Sequence, residues 1–217
     1  MHFRIFFRPA AGASIVIDKA VQDRHFDQKI AGEYAMKKFI SDRKLLPALV
    51  IISGLLYVIS QATILIILGP LGTGQLKFQF SFDAKSLADI ITAWGETGMA
   101  VFRDHFYMDF LHPVIYSSFM FFLLCYLRTK LPKSEISRDI PLYFLLPFAA
   151  AAVDLAENFL ELAIIRQQTE IPGWMALMNG LLSSLKWGLS AACLAIIALF
   201  AARLAFYVKK SGKGAAA

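Results

Sequence analysis

The chain has 217 residues, of which 58% are hydrophobic and 18% charged, against the roughly 45–50% apolar content of soluble domains. A mean hydropathy of +0.58 excludes an ordinary soluble domain and directs the apolar excess toward lipid. The net charge of +6 would suit nucleic acid only on a basic face interleaved with aromatics; Lys and Arg instead flank apolar runs, so the bilayer is the expected partner and nucleic acid is not.

Residues 1–44 form a basic arm with nine Lys and Arg. Arg4 and Arg8 interrupt its apolar start, so it lacks the continuous core of a cleavable signal and the first span is expected to direct insertion. Within it, 27–44 places Ile30, Tyr34 and Phe39 where an amphipathic helix could dip into the inner leaflet, although a solvated arm fits as well.

Crossing about 30 Å of hydrocarbon takes about 20 helical residues, and four stretches of 45–208 reach that length. The first, about 45–69, is uncharged and closed by Pro70. Residues 84–94 follow, with Leu87, Ile90, Ile91 and Trp94 on one side of a short helix that Gly95 ends, suited to the outer membrane surface. The second span, about 106–128, is uncharged from Phe110 to Leu127, and its helix reads back toward Met99. The third, about 140–165, carries Asp154, Glu157 and Glu161. The fourth, about 179–206, carries a single charge, Lys186, between Asn179 and Ala202, and 209–217 reads as a disordered tail. Cys125 and Cys193 lie inside apolar runs and read as small core residues.

Orientation follows from the basic residues. The arm holds nine and the 128–139 segment four, whereas 166–178 holds only Arg166; Arg203, Lys209, Lys210 and Lys213 follow the last span. The expectation is an all-α, four-helix transmembrane bundle in the cell (inner or plasma) membrane, with N and C termini cytoplasmic.

Within that frame the polar residues are not scattered. Asp154, Glu157, Asn158 and Glu161 fall within an arc of about 100° on the third helix, and His105, Asp109, His112 and Tyr116 within about 60° on the second, at about 100° per residue. The first span adds Tyr57, Ser60 and Gln61 in its second half; the fourth adds Ser183, Lys186, Trp187 and Ser190 in its first. Because alternate spans run in opposite directions, all four stripes belong to the outer half.

Intramembrane charges cost roughly 2.5–3.5 kcal/mol each on insertion scales and mark sites by default. Asp109, Asp154, Glu157 and Glu161 face one buried base, Lys186, so protons, a cation or a cationic ligand must balance them. The expected ligand-binding set is Asp109, Tyr116, Asp154, Glu157, Asn158 and Lys186, with Gln61, His105, His112, Glu161 and Trp187 secondary. His105, Asp109 and His112 could ligate a first-row metal, although no metal is assigned, and interhelical packing alone is the plain alternative. Pro113 leaves the Asp109 carbonyl without its usual helical donor and predicts a kink.

The pieces Gly95-x-x-Gly98, Asp109-x-x-x-Pro113-x-x-Tyr116, Asp154-x-x-Glu157-Asn158 and Lys186-Trp187 resemble, over about residues 45–205, a family of small bacterial and fungal four-span membrane proteins without an assigned function. The resemblance implies that Asp109, Tyr116, Asp154, Glu157, Asn158 and Lys186 form a shared polar centre. His105, His112 and Glu161 fall outside its pattern, and it carries no reaction.

Three functions remain open at this point. The first is binding or transport of a cation, proton or small amphiphile. The second is a membrane enzyme using a carboxylate as general acid on a lipid or prenyl substrate, with a groove opening sideways beside Asp109 and Glu157. The third is an accessory subunit of a larger membrane complex, with a homo-oligomer also open.

Overall fold

The computed structural model describes residues 45–131, 142–167 and 170–214. The basic arm at 1–44, with its expected inner-leaflet segment, lies outside the described residues.

Every regular element among the described residues is helical. The uncharged run makes α1 (Leu45–Leu68); Pro47 in its first turn forfeits no helical hydrogen bond. A 3₁₀ turn at Gly69–Leu71 takes up Pro70. Gly72, at φ 56°, then reverses the chain into the short α2 (Gly74–Gln79), a left-handed conformation that glycine adopts without a Cβ penalty. Next is α3 (Ala84–Asp109), interrupted at Gly95, where φ 57° and ψ −167° divide it into two helical segments. α4 (His112–Lys130) follows. A 3₁₀ turn at Leu142–Leu145 leads into α5 (Leu146–Gln167), and α6 runs Gly173–Gly214.

Two segments, Leu45–Leu71 and Gly173–Lys209, are long and apolar enough to cross a membrane, and the α3–α4 pair qualifies as a third if its 41° bend lies within one span. α5 has the length but carries Asp154, Glu157, Glu161 and Arg166, so composition alone does not qualify it.

The helix expected through 106–128 is broken at Phe110 and Leu111, where a kink is expected because Pro113 cannot donate to the carbonyl four residues back. One boundary differs from the sequence reading. The fourth helix begins at Gly173 and continues to Gly214, through most of the tail expected to be disordered. Residues 201–205, AARLA, are all good helix formers and carry the helix past the apolar run.

α4 is central and packs on α1, α5 and α6. α1 also leans on α3, and α5 lies along α6, while α1 and α6 do not pack extensively on one another. Among the described residues the assembly is thus open on its α1–α6 side. Ile51, Ile52, Leu55, Val58, Ile59 and Ile66 of α1 are exposed, Ile66 to 78%, as lipid contact requires.

At the other end, Phe78, Trp94, Phe102 and Phe106 build an aromatic core with Leu87, Ile91, Ile164 and Met175. α2 packs tightly there: a Cβ on Gly74 would stand 2.7 Å from Trp94 Nε1. Asn179 Nδ2, fully buried on α6, donates to the Phe78 carbonyl at 2.7 Å and the Gln79 carbonyl at 3.2 Å. It thereby adds a donor to carbonyls at the end of α2, of which that of Phe78 also accepts from the Ser81 amide at 3.2 Å.

Asp83 caps α3, accepting from the Ser86 amide at 2.8 Å and the Ser86 hydroxyl at 2.9 Å. These bonds, the amide first, hold the Asp83 carboxyl below the ordinary carboxylate range. The cap's contribution is therefore complete above the unfolded pKa of about 3.9 and disappears as pH falls through the lower folded value. Asp83→Ala should speed hydrogen exchange at the Ser86 and Leu87 amides at neutral pH; unchanged exchange there would show that the cap does not hold this helix end.

Candidate functional site

The polar centre starts from helix periodicity. On α5, Asp154, Glu157, Asn158 and Glu161 are buried on the same face as Ala150, Ala151, Ile164 and Ile165, so the three carboxylates continue the packing stripe. On α6, Asn179, Ser183, Lys186 and Cys193 are buried at spacings of four, three and seven, with Ser190 filling the stripe. Since α5 and α6 pack along one another, the two stripes meet.

Lys186 Nζ lies 3.2 Å from Asp154 Oδ1 and also contacts Glu157 Oε2. The other Glu157 oxygen accepts from the Ser183 hydroxyl. Glu157 is thus held on both oxygens and is completely buried. Glu161, one turn further along, is 1% exposed and its Oε1 has no hydrogen-bond partner among the described residues.

Asn158 has a different role from the expected ligand donor. Its Nδ2 donates at 3.0 Å to the Asp109 carbonyl, the acceptor orphaned by Pro113. A side chain from α5 therefore completes the break between α3 and α4, which costs far less than leaving a buried carbonyl unpaired.

The histidines separate. His105 Nδ1 meets the Phe102 carbonyl in its own helix, with Nε2 3.7 Å from Asp109 Oδ2. His112 Nδ1 instead pairs with Ser60 Oγ of α1 at 2.9 Å, and its ring stacks on Tyr57 at 5.7 Å. The metal candidates His105, Asp109 and His112 therefore do not converge. Among the described residues no group of three His, Cys, Asp or Glu side chains is arranged to hold a metal ion.

A cavity of about 240 Å³ lies between α1, α2, α4 and α6, with Asp109 and Asp154 in its wall. Of the expected residues, Asp109, Tyr116, Asp154 and Lys186 line it, together with Gln61, His112 and Trp187. Glu157, Asn158, Glu161 and His105 do not; they form the layer behind. The Tyr116 hydroxyl lies against the Asp154 carboxyl, without a hydrogen bond of good geometry among the described residues. Trp187 is half-exposed, and its ring lies 5.9 Å from the Lys186 ammonium.

Three contributors were absent from the expected set. Gln75 and Gln79 of α2 line the cavity, and the Pro- and Gly-rich 70–83 stretch has no periodicity that could have placed them. Asn179 did leave a signal, since it lies seven residues before Lys186 on the same stripe.

The mouth is apolar. Leu65 of α1 and Leu194 of α6 line the cavity and are both more than half exposed, on the side where those helices fail to pack. A polar floor is therefore reached through a hydrocarbon-lined gap between two lipid-facing helices. Comparison with family models, curated proteins and solved structures gives no match for this chain.

Proposed function

We propose that the chain is a four-span membrane protein of the cell membrane, with both termini cytoplasmic, that binds a small amphiphile drawn sideways from the bilayer. The orientation rests on the excess of Lys and Arg in the arm and the 128–139 segment over 166–178. α5 serves as a span in this reading because its acids face α6 and α4, leaving apolar residues for lipid. The α3–α4 pair then crosses as one bent span.

The single observation that carries the reading is the cavity's composition: Asp109, Asp154 and Lys186 inside, Leu65 and Leu194 at the α1–α6 gap. Such a site matches a molecule with a polar head and an apolar tail. Ion transport has less support, because past Ser190 the cavity wall on α6 ends at Leu194 and the polar stripe stops. The enzyme reading keeps one favourable feature, the presence of two carboxylates, Asp109 and Asp154, in one cavity. Glu157, expected beside the groove, is instead occupied by Lys186 and Ser183.

Closing the gap tests the reading. The double variant Leu65→Trp with Leu194→Trp adds bulk at two exposed positions, so folding should survive. Purified without delipidation, the wild-type chain should carry an amphiphile detectable by mass spectrometry, and the variant about tenfold less, the equivalent of about 1.4 kcal/mol. Equal retention by a folded variant, or a wild-type chain carrying none, would reject lateral binding.

A further inference from the structure

We infer that the head of the bound amphiphile is a primary ammonium, so that the ligand class is a long-chain aliphatic amine. This rests on the lateral-binding reading above and deepens it. The cavity and the layer behind it are rich in negative charge. Asp109, Asp154, Glu157 and Glu161 stand against one lysine, and Lys186 already spends itself on Asp154 and Glu157. Of the two nearby histidines, His112 holds Ser60 with Nδ1, and His105, whose Nδ1 meets the Phe102 carbonyl, is the one basic side chain near Asp109, with Nε2 at 3.7 Å.

Two further side chains point to what is missing. Gln79 Oε1 and the Tyr116 hydroxyl belong to residues 6% exposed and both line the cavity; Gln79 Oε1 has no hydrogen-bond partner among the described residues, and the Tyr116 hydroxyl has only the Asp154 carboxyl beside it, without a bond of good geometry. They come from different elements, α2 and α4, and Gln79 stands apart from the carboxylate cluster that Tyr116 adjoins. Buried polar atoms without partners are rare and costly. A group carrying both positive charge and N–H donors answers them together with Asp109 and Asp154.

Head-group chemistry narrows the choice. A quaternary ammonium brings charge but no donor, an alcohol a donor but no charge, and a phosphate-bearing head meets carboxylates of its own sign. Size agrees: about 240 Å³ lies below the roughly 300–1,000 Å³ that encloses a whole drug-sized ligand. The head and first methylenes fit, and the chain must leave through the gap beside Leu65 and Leu194.

The test uses the full chain in phosphatidylcholine nanodiscs, titrated with dodecylamine, dodecyltrimethylammonium, dodecanol and butylamine, with bound molecules counted by native mass spectrometry. Dodecylamine should bind at least about tenfold more tightly than the trimethylammonium and the alcohol, the scale of a charge-assisted hydrogen bond. Asp109→Asn, and separately Gln79→Leu, should each erase most of that preference while thermal unfolding shows the variants folded. Two variants guard against one failing to fold. Equal binding of all three twelve-carbon probes would overturn the ammonium head and leave lateral binding standing. No binding by any of them would overturn lateral binding itself. Butylamine binding as tightly as dodecylamine would overturn the long-chain class, assigning the cavity to a free amine from water.

Discussion

Lys186→Met should be the most damaging single substitution in the polar centre, lowering stability by about 3–5 kcal/mol, the usual cost of removing one partner from a buried ion pair. The side chain is only 10% exposed and its ammonium is shared by Asp154 and Glu157. Methionine keeps most of the volume and removes the charge, so both carboxylates would be left facing each other and Glu161. The informative comparison is the triple variant Lys186→Met, Asp154→Asn, Glu157→Gln, which removes the whole charged group. Replacing a complete buried ion pair by neutral groups is often neutral or stabilising. The triple variant should therefore recover most of the wild-type unfolding temperature while losing amphiphile retention. A triple variant as unstable as the single one would mean that the charges serve packing, and the ligand reading would lose its basis.

What was legible in the sequence and what was not divide along a physical line. Periodicity exposes which residues share a face, so Asp154, Glu157, Asn158 and Glu161 could be placed together, as could Ser183, Lys186 and Ser190. It does not say what that face meets. Glu157 and Asn158 are adjacent in sequence, yet one is taken by Lys186 and Ser183 of α6 and the other by a backbone carbonyl at the α3–α4 break. His105 and His112 share a face by spacing, but the bend at Phe110 and Leu111 divides the helix between them and sends His112 to Ser60. The cavity was legible only on its spanning walls. Its α2 side, with Gln75 and Gln79, comes from six helical residues, too few to show a pattern. The α1–α6 gap depends on which helices fail to pack, and no local sequence feature encodes that.

The Asn158 bond supplies the second large effect, and its direction can be set by a compensating change. Asn158→Leu removes the donor to the Asp109 carbonyl, leaving a buried acceptor unpaired at a cost of about 1–3 kcal/mol. Pro113→Ala alone restores a backbone N–H four residues after Asp109, which competes with Asn158 and relaxes the 41° bend. In the Asn158→Leu background the same Pro113→Ala change should be stabilising, because the new amide now takes over the stranded carbonyl. The two substitutions are thus expected to couple favourably by about 1 kcal/mol or more in a double-mutant cycle read by thermal unfolding. Independent, additive losses would show that Asn158 contributes through packing and that the break does not depend on its amide. The cycle also bears on binding, since the Asp109 carboxylate reaches the cavity from the last residue before the break. Straightening α3 into α4 would rotate that carboxylate relative to Asp154, so the double variant should regain stability without regaining amphiphile retention.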